Sequence, residues 1–153
     1  MTKILMVCRA NICRSPMARA VAQQIAREMG LSAVLEFDSA GTHAVQGGER
    51  IDPRARAVLT ERQCDPGKAR SRAVKAQDFQ DFDLIVAMDE SNLASLRAQC
   101  PTEHHDKLHL LLGFAPALDL KEVPDPYYGN LAGFERVLEL CQAGVRGLIE
   151  AQT

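Results

Sequence analysis

An apolar run, Ile4-Leu5-Met6-Val7, ends at Cys8 and passes through Arg9-Ala10-Asn11-Ile12-Cys13-Arg14-Ser15 directly into a helical repeat. A strand fed through a short loop into the start of a helix opens a layered α/β fold, where ligands gather at the C-terminal ends of parallel strands. A loop of this length can curl its backbone N–H groups around a tetrahedral anion, and the helix behind it adds its positive end. Arg14 can clamp two oxygens of that anion in a fork that lysine cannot reproduce. Ringed by such donors, Cys8 is favoured as the thiolate, the form of sulfur that attacks phosphorus. A cysteine closing a first strand is more ordinarily small core filler. Three things weigh towards chemistry: the strand–helix junction, the Ser15 hydroxyl beside the thiol, and Pro16 in the first helical turn.

The remaining pattern continues the alternation. Lys3–Cys8 reads as a buried strand and Ser15–Gly30 as a helix, with Met17, Val21, Ile25 and Met29 at i+4 spacing and Gly30 as its stop. Val34–Ser39 is a second strand, closed by Ala40-Gly41. Asp52 caps and Pro53 opens a helix running to about Gln63, and Asp65-Pro66-Gly67 marks a turn. Leu84–Met88 suits a central parallel strand, after which Asp89 or Ser91 can cap a helix that must finish before Pro101. Lys107–Leu112 is a fourth strand, and Gly113–Pro126 a long loop with three prolines. The last helix, about Gly129–Ala151, carries Phe134, Val137, Leu138, Cys141, Val145, Leu148 and Ile149 on one stripe. Strands separated by helices pair in parallel through crossovers, so the expected architecture is an α/β three-layer αβα sandwich.

A chain of 153 residues suits one domain over residues 1–153. Its 18 basic and 20 acidic residues sum to −2, with no basic stripe and few aromatics, so nucleic acid is not an expected partner. The first apolar run is too short for a signal-peptide core or a membrane span. Five cysteines without a CxxC pair indicate neither a disulfide framework nor structural zinc, and the four histidines show no ligand spacing. No metal or cofactor is therefore expected, and a reducing cytoplasm is the natural compartment. Cys64, Cys100 and Cys141 fall in helical patterns as core or surface filler.

A phosphatase working through sulfur also needs a proton donor for the departing oxygen. Val123-Pro124-Asp125-Pro126-Tyr127-Tyr128-Gly129 supplies one: Asp125 is held between two prolines, and Tyr127 and Tyr128 can wall a cleft for an aromatic substrate. Taken alone, an Asp-Pro pair before a helix is more often a cap and turn.

Together these two segments resemble the low-molecular-weight protein tyrosine phosphatase family. The resemblance covers essentially the whole chain and takes in Asp38-Ser39-Ala40-Gly41-Thr42, Asp52-Pro53-Arg54-Ala55, Lys68-Ala69-Arg70 and Met88-Asp89-Glu90-Ser91-Asn92. It implies a four-stranded parallel sheet of order 2-1-3-4 and metal-independent hydrolysis of phosphotyrosine in proteins or peptides. It further implies Cys8 as nucleophile, Arg14 as phosphate clamp in a loop spanning Arg9 to Arg14, and Asp125 as general acid and then base. Asn11 would take a left-handed backbone conformation, Ser15 would support the leaving thiolate, and Ser39 would bond Asn11. Cys13 is either packing under the loop or, by the resemblance, a guard that closes a disulfide with oxidised Cys8. A monomer with at most weak self-association is expected.

Four positions depart from the family pattern. Ala10 stands where glycine is usual and calls for a negative φ. Arg19 replaces a glutamate and Gly67 a histidine, both supports of the phosphate loop, which suggests a coupled replacement with more bracing by Asn11 and Ser39. Val45 replaces an aromatic residue of the substrate cleft. Arg9, on the rim, either favours acidic flanking residues or is simply solvated. Two rival functions remain open to such a chain: a phosphotyrosine-binding module without turnover, and a thiol-dependent arsenate reductase, whose relay needs two cysteines that Ile85-Val86-Ala87-Met88 and the lone Cys100 do not offer.

Overall fold

The computed structural model describes residues 1–153. In chain order the elements are β1 (Thr2–Cys8), α1 (Arg14–Glu28), β2 (Leu35–Gly41), α2 (Pro53–Glu61), α3 (Asp78–Asp81), β3 (Leu84–Ala87), α4 (Glu90–Gln99), β4 (Leu108–Leu110) and α5 (Leu131–Ala151). Short 3-10 turns occupy Thr102–Lys107, Leu111–Phe114 and Pro116–Leu118. The four strands form one sheet in the order β2-β1-β3-β4, and every neighbouring pair is parallel.

The two-residue period of β1 divides the interior. Ile4, Met6 and Cys8 face a core filled by α1, α2 and α5, while Leu5 and Val7 face a smaller core closed by Phe79, Phe82 and Leu96 from α3, α4 and the residue after α3. The sheet thus lies between two helical layers, and β1, paired on both edges, is buried from Ile4 to Cys8. Register fixes the site: Cys8 pairs with Gly41 of β2, and Val7 pairs with Ala87 of β3. Three strands therefore finish together at the C-terminal end of the sheet.

Several element ends differ from expectation for visible reasons. β2 starts at Leu35, Val34 being exposed, and continues to Gly41 because pairing with β1 extends as far as Cys8. Helix α1 includes Arg14 and ends before Met29, which is exposed rather than buried, with Gly30 at φ +72° as the stop. Asp89, not Ser91, caps α4: its carboxylate accepts the Asn92 N–H at 2.7 Å, and Asn92 Oδ1 accepts the Asp89 N–H at 3.2 Å. Asn130 caps α5, which begins two residues later than expected. Strand β4 has only three residues, because the chain then winds into the 3-10 turn Leu111–Phe114 against α5. That approach is close enough that a Cβ on Gly144 would stand 2.6 Å from Leu111 Cγ, and one on Gly147 would collide with the Phe114 carbonyl. The four-residue α3 was not foreseen; too short to show a period, it is held by Asp78, which accepts from the Lys75 N–H and from Arg72.

Candidate active site

The loop from Arg9 to Cys13 turns its carbonyls outward. Cys8 O accepts from Thr42, Arg9 O from His43, Ile12 O from Asp52 and Cys13 O from Met17, at 2.8–3.1 Å. No backbone N–H from Arg9 to Cys13 donates to a carbonyl or side chain of the protein. A ring of unpartnered donors at the first turn of α1 is an anion cradle. Asn11 supplies the bend: it sits at φ +60°, whereas Ala10 keeps a negative φ as its methyl requires. The Asn11 side chain then ties the loop down, its Nδ2 donating to Ser15 Oγ at 2.8 Å and Ser39 Oγ at 3.0 Å, and its Oδ1 accepting the Arg72 N–H at 3.0 Å. Cys8 Sγ lies 3.1 Å from Ser15 Oγ.

Arg14 is buried, with its side chain only 3% exposed, and it is oriented by two acceptors and a third group in ion-pair range. Nη1 donates to Asp89 Oδ2 at 2.7 Å and to the Val123 carbonyl at 3.0 Å; Nη2 is 3.7 Å from Asp125 Oδ2. Burial alone would weaken its charge, but the hydrogen bond to Asp89 and the negative charges of Cys8, Asp89 and Asp125 hold the guanidinium above its ordinary range. Asp89 reaches this position because only Met88 separates it from β3, and the Met88 N–H donates to Val7 O at 3.1 Å while its carbonyl accepts from the Val123 N–H at 2.8 Å.

A cavity of about 310 Å³ opens over this constellation. Its floor includes Cys8, Cys13 and Arg14, its rim includes Arg9, Ala10 and Ile12, and Asp125, Tyr127 and Tyr128 stand opposite. Asp125 is 44% exposed; its Oδ1 accepts the Tyr127 N–H at 3.1 Å, which leaves Oδ2 towards the cavity. The tyrosine rings meet edge to face at 5.0 Å, with Tyr128 95% exposed. Val45 does not line this cavity: it lies in the exposed loop after β2, 90% accessible, and Glu49 from the same connection lines the wall instead.

Two acidic and basic partners were missed by reading the sequence. The sequence offers Asp89 as an α4 cap, and its place just past a strand expected beside β1 is the signal for its second role at Arg14. Arg54 stands in the sequence only within the Asp52-Pro53-Arg54-Ala55 segment, with nothing there to show its reach. Held by Asp52 at 2.9 Å, it donates to the Tyr127 and Gly129 carbonyls at 3.0 and 3.3 Å and lies over the Tyr127 ring at 5.5 Å. The departures at Arg19 and Gly67 do meet in space: a side chain starting at Gly67 would touch the Arg19 guanidinium at 4.0 Å, and Arg19 Nε donates to Phe37 O at 3.3 Å.

Burial pushes the Cys13 thiol up to about 12, with Asp52 adding to the effect, so it is neutral near neutral pH. Cys64, Cys100 and Cys141 are all buried, although only Cys141 lies inside a helix. His109 lies in β4 and packs on Phe114 with ring centroids 5.4 Å apart.

The family model described as low molecular weight phosphotyrosine protein phosphatase matches residues 3–153. The low molecular weight protein-tyrosine-phosphatase of Streptomyces coelicolor is 42% identical over 153 residues, covering 97% of this chain and 92% of the relative. The human low molecular weight phosphotyrosine protein phosphatase is 35% identical, covering 96% and 93%. A solved structure of a protein tyrosine phosphatase from Entamoeba histolytica, with Hepes in its active site, superposes with a TM-score of 0.96 at 37% identity and covers 99% of this chain and 97% of that one.

Proposed function

The chain belongs to the low molecular weight phosphotyrosine protein phosphatase family, and from that membership we propose that it hydrolyses phosphotyrosine in proteins, and small aryl phosphates, by way of a phosphocysteine on Cys8. The observation that carries the reading is the conjunction of Cys8, the unpartnered loop N–H groups and buried Arg14 on one floor, with Asp125 across the cavity. Cys8 sulfur attacks phosphorus in line, and the S–P bond forms as the bond to the tyrosyl oxygen breaks. The loop donors and Arg14 take the charge on the three equatorial oxygens. Asp125 gives its proton to the departing oxygen. As a carboxylate it then takes one from water, whose oxygen attacks phosphorus and releases the Cys8 thiolate and inorganic phosphate. Ser15, 3.1 Å from the sulfur, donates to that leaving thiolate, and Asn11 with Ser39 holds the loop in shape. Tyr127 and Tyr128 flank the aromatic ring.

Residues 1–153 act as one domain and a monomer, on phosphotyrosine proteins or peptides in the cytoplasm, without metal, cofactor or nucleic acid. No helix is long and apolar enough to cross a membrane. Cys13 serves as a redox guard: peroxide-treated protein should regain activity with thiol, and failure to regain it would remove that role. The primary test is p-nitrophenyl phosphate hydrolysis at mildly acidic pH with EDTA, for wild type and Cys8→Ser. Turnover abolished by the substitution supports the mechanism. Absence of turnover in folded wild type that still binds phosphotyrosine would leave a binding module.

A further inference from the structure

Beyond Glu49 the surface dips into a second cavity of about 370 Å³, and four of its six lining residues are the cations Arg50, Arg56, Lys68 and Arg70. Ile51 and Ala69 complete the wall. None of these four cations pairs with a carboxylate, whereas Arg14, Arg19, Arg54 and Arg72 all do. In a chain of net charge −2, four unpaired cations around one depression make a locally positive field rather than a surface of mixed sign. Of the acids nearby in sequence, Asp65 accepts the Gly67 N–H at 2.8 Å, Asp52 is bound by Arg54, and Glu49 lines the first cavity rather than this one. Two of the arginines are set in place by backbone. Arg56 Nη2 donates to Gly67 O at 3.3 Å and Arg70 Nη1 to Gly48 O at 3.1 Å, so the rest of each fork is left for a ligand. Both carbonyls belong to glycines at φ +71° and +73°, turns that aim them at these partners.

Arginine forks beside a lysine point charge suit the tetrahedral oxygens of phosphate. The two cavities adjoin along the chain, since Glu49 lines the first while Arg50 and Ile51 line the second. The next N–H, of Asp52, donates to Ile12 O in the phosphate loop at 2.8 Å. We propose that this basic cavity is a second phosphate-binding site, taking either a further phosphoryl group of a multiply phosphorylated substrate polypeptide or a free polyphosphate. The site itself stands apart from the hydrolytic reading; only its use by substrate rests on that reading.

Amide shift titration of the full chain with inorganic pyrophosphate at low ionic strength tests it. Two groups of amides should move with separate affinities, one over Asn11–Arg14 and one over Lys68–Arg70. Arg56→Gln/Lys68→Gln should weaken the second by about tenfold or more and leave the first, and p-nitrophenyl phosphate turnover, unchanged. Movement of the loop amides alone, or a second group indifferent to the double substitution, overturns the site. Peptides with one or two phosphotyrosines then separate the sources: a kcat/KM preference for the doubly phosphorylated peptide that the variant loses assigns substrate. Equal kcat/KM alongside two-site pyrophosphate binding assigns free polyphosphate. Two-site binding without any turnover would defeat the hydrolytic reading and leave the second site standing.

Discussion

Asp89 meets two demands with opposite oxygens: Oδ2 binds Arg14 at 2.7 Å and Oδ1 caps α4 through the Asn92 N–H at 2.7 Å. Asp89→Asn keeps a good cap but removes the charge facing Arg14, whereas Asp89→Ala removes both. The alanine variant should lose about 3 kcal/mol in urea unfolding, because a buried guanidinium is left without its main counter-charge. Adding orthovanadate, which supplies oxyanion charge to Arg14, should restore part of that loss; equal destabilisation with and without vanadate would disconnect Asp89 from the anion site. Asp125→Asn belongs to the same scale. It should lower kcat/KM, which reports the leaving-group step, by about 10²–10⁴-fold on phosphotyrosine, and less on p-nitrophenyl phosphate, whose leaving oxygen needs less protonation. An equal fall on both substrates would assign Asp125 to shape rather than proton transfer. Cys8, Arg14 and Asp125 could be picked out from the sequence because each chemistry admits few residue types. Asp89 takes a further step, since its second partner follows only from placing β3 beside β1 and asking what stands at the end of both strands.

At the scale of elements, the start of α2 governs the tyrosine-bearing loop. Asp52 caps the helix through the Arg54 N–H at 2.8 Å and holds the Arg54 side chain, which reaches the Tyr127 and Gly129 carbonyls. Hydrogen bonds from Arg54 outweigh burial and keep the Asp52 carboxyl below its ordinary range. Its folded value being depressed, Asp52 contributes stability above the unfolded carboxylate value of about 3.9 that is lost as pH falls through the lower folded value. The gap in unfolding midpoint between wild type and Asp52→Asn should thus be constant at pH 5–7 and shrink below about pH 4; a gap independent of pH would mean the ion pair contributes nothing. Gly41 ends β2 against the phosphate loop, where a Cβ would stand 2.7 Å from Arg9 O and 3.0 Å from the Ala10 carbonyl carbon. Gly41→Ala should displace that loop and lower kcat/KM at least tenfold while costing about 1–3 kcal/mol, as overpacking does. Long periodic elements such as β1, α1 and α5 were legible in the sequence. The end of β4 was not, because two helix glycines far along the chain decide it, and neither was the loop holding Val45, which has no period to read.

Across the whole molecule, the site and the sheet's far edge can be separated by pH. The catalytic cavity is lined by the end of β1, the phosphate loop, the start of α1, Glu49 and the loop before α5, whereas His109 lies on β4, an edge strand of the sheet, against Phe114. Burial holds the His109 imidazole below its usual value, and the opposing charge of Asp106 only partly offsets this. The fold therefore prefers neutral His109. Its contribution is present above the unfolded value of about 6.5 and disappears as pH drops through the lower folded value, because the unfolded chain takes up the proton first. Thermal unfolding midpoints should fall between pH 7 and pH 5, and His109→Gln should flatten that decline. The same substitution should leave the pH profile of kcat unaltered, since His109 does not line the cavity. A shifted kcat profile would show that the edge strand and the phosphate loop are coupled through the sheet. An unchanged stability slope would mean that His109 gains a proton in the fold as readily as in the unfolded chain.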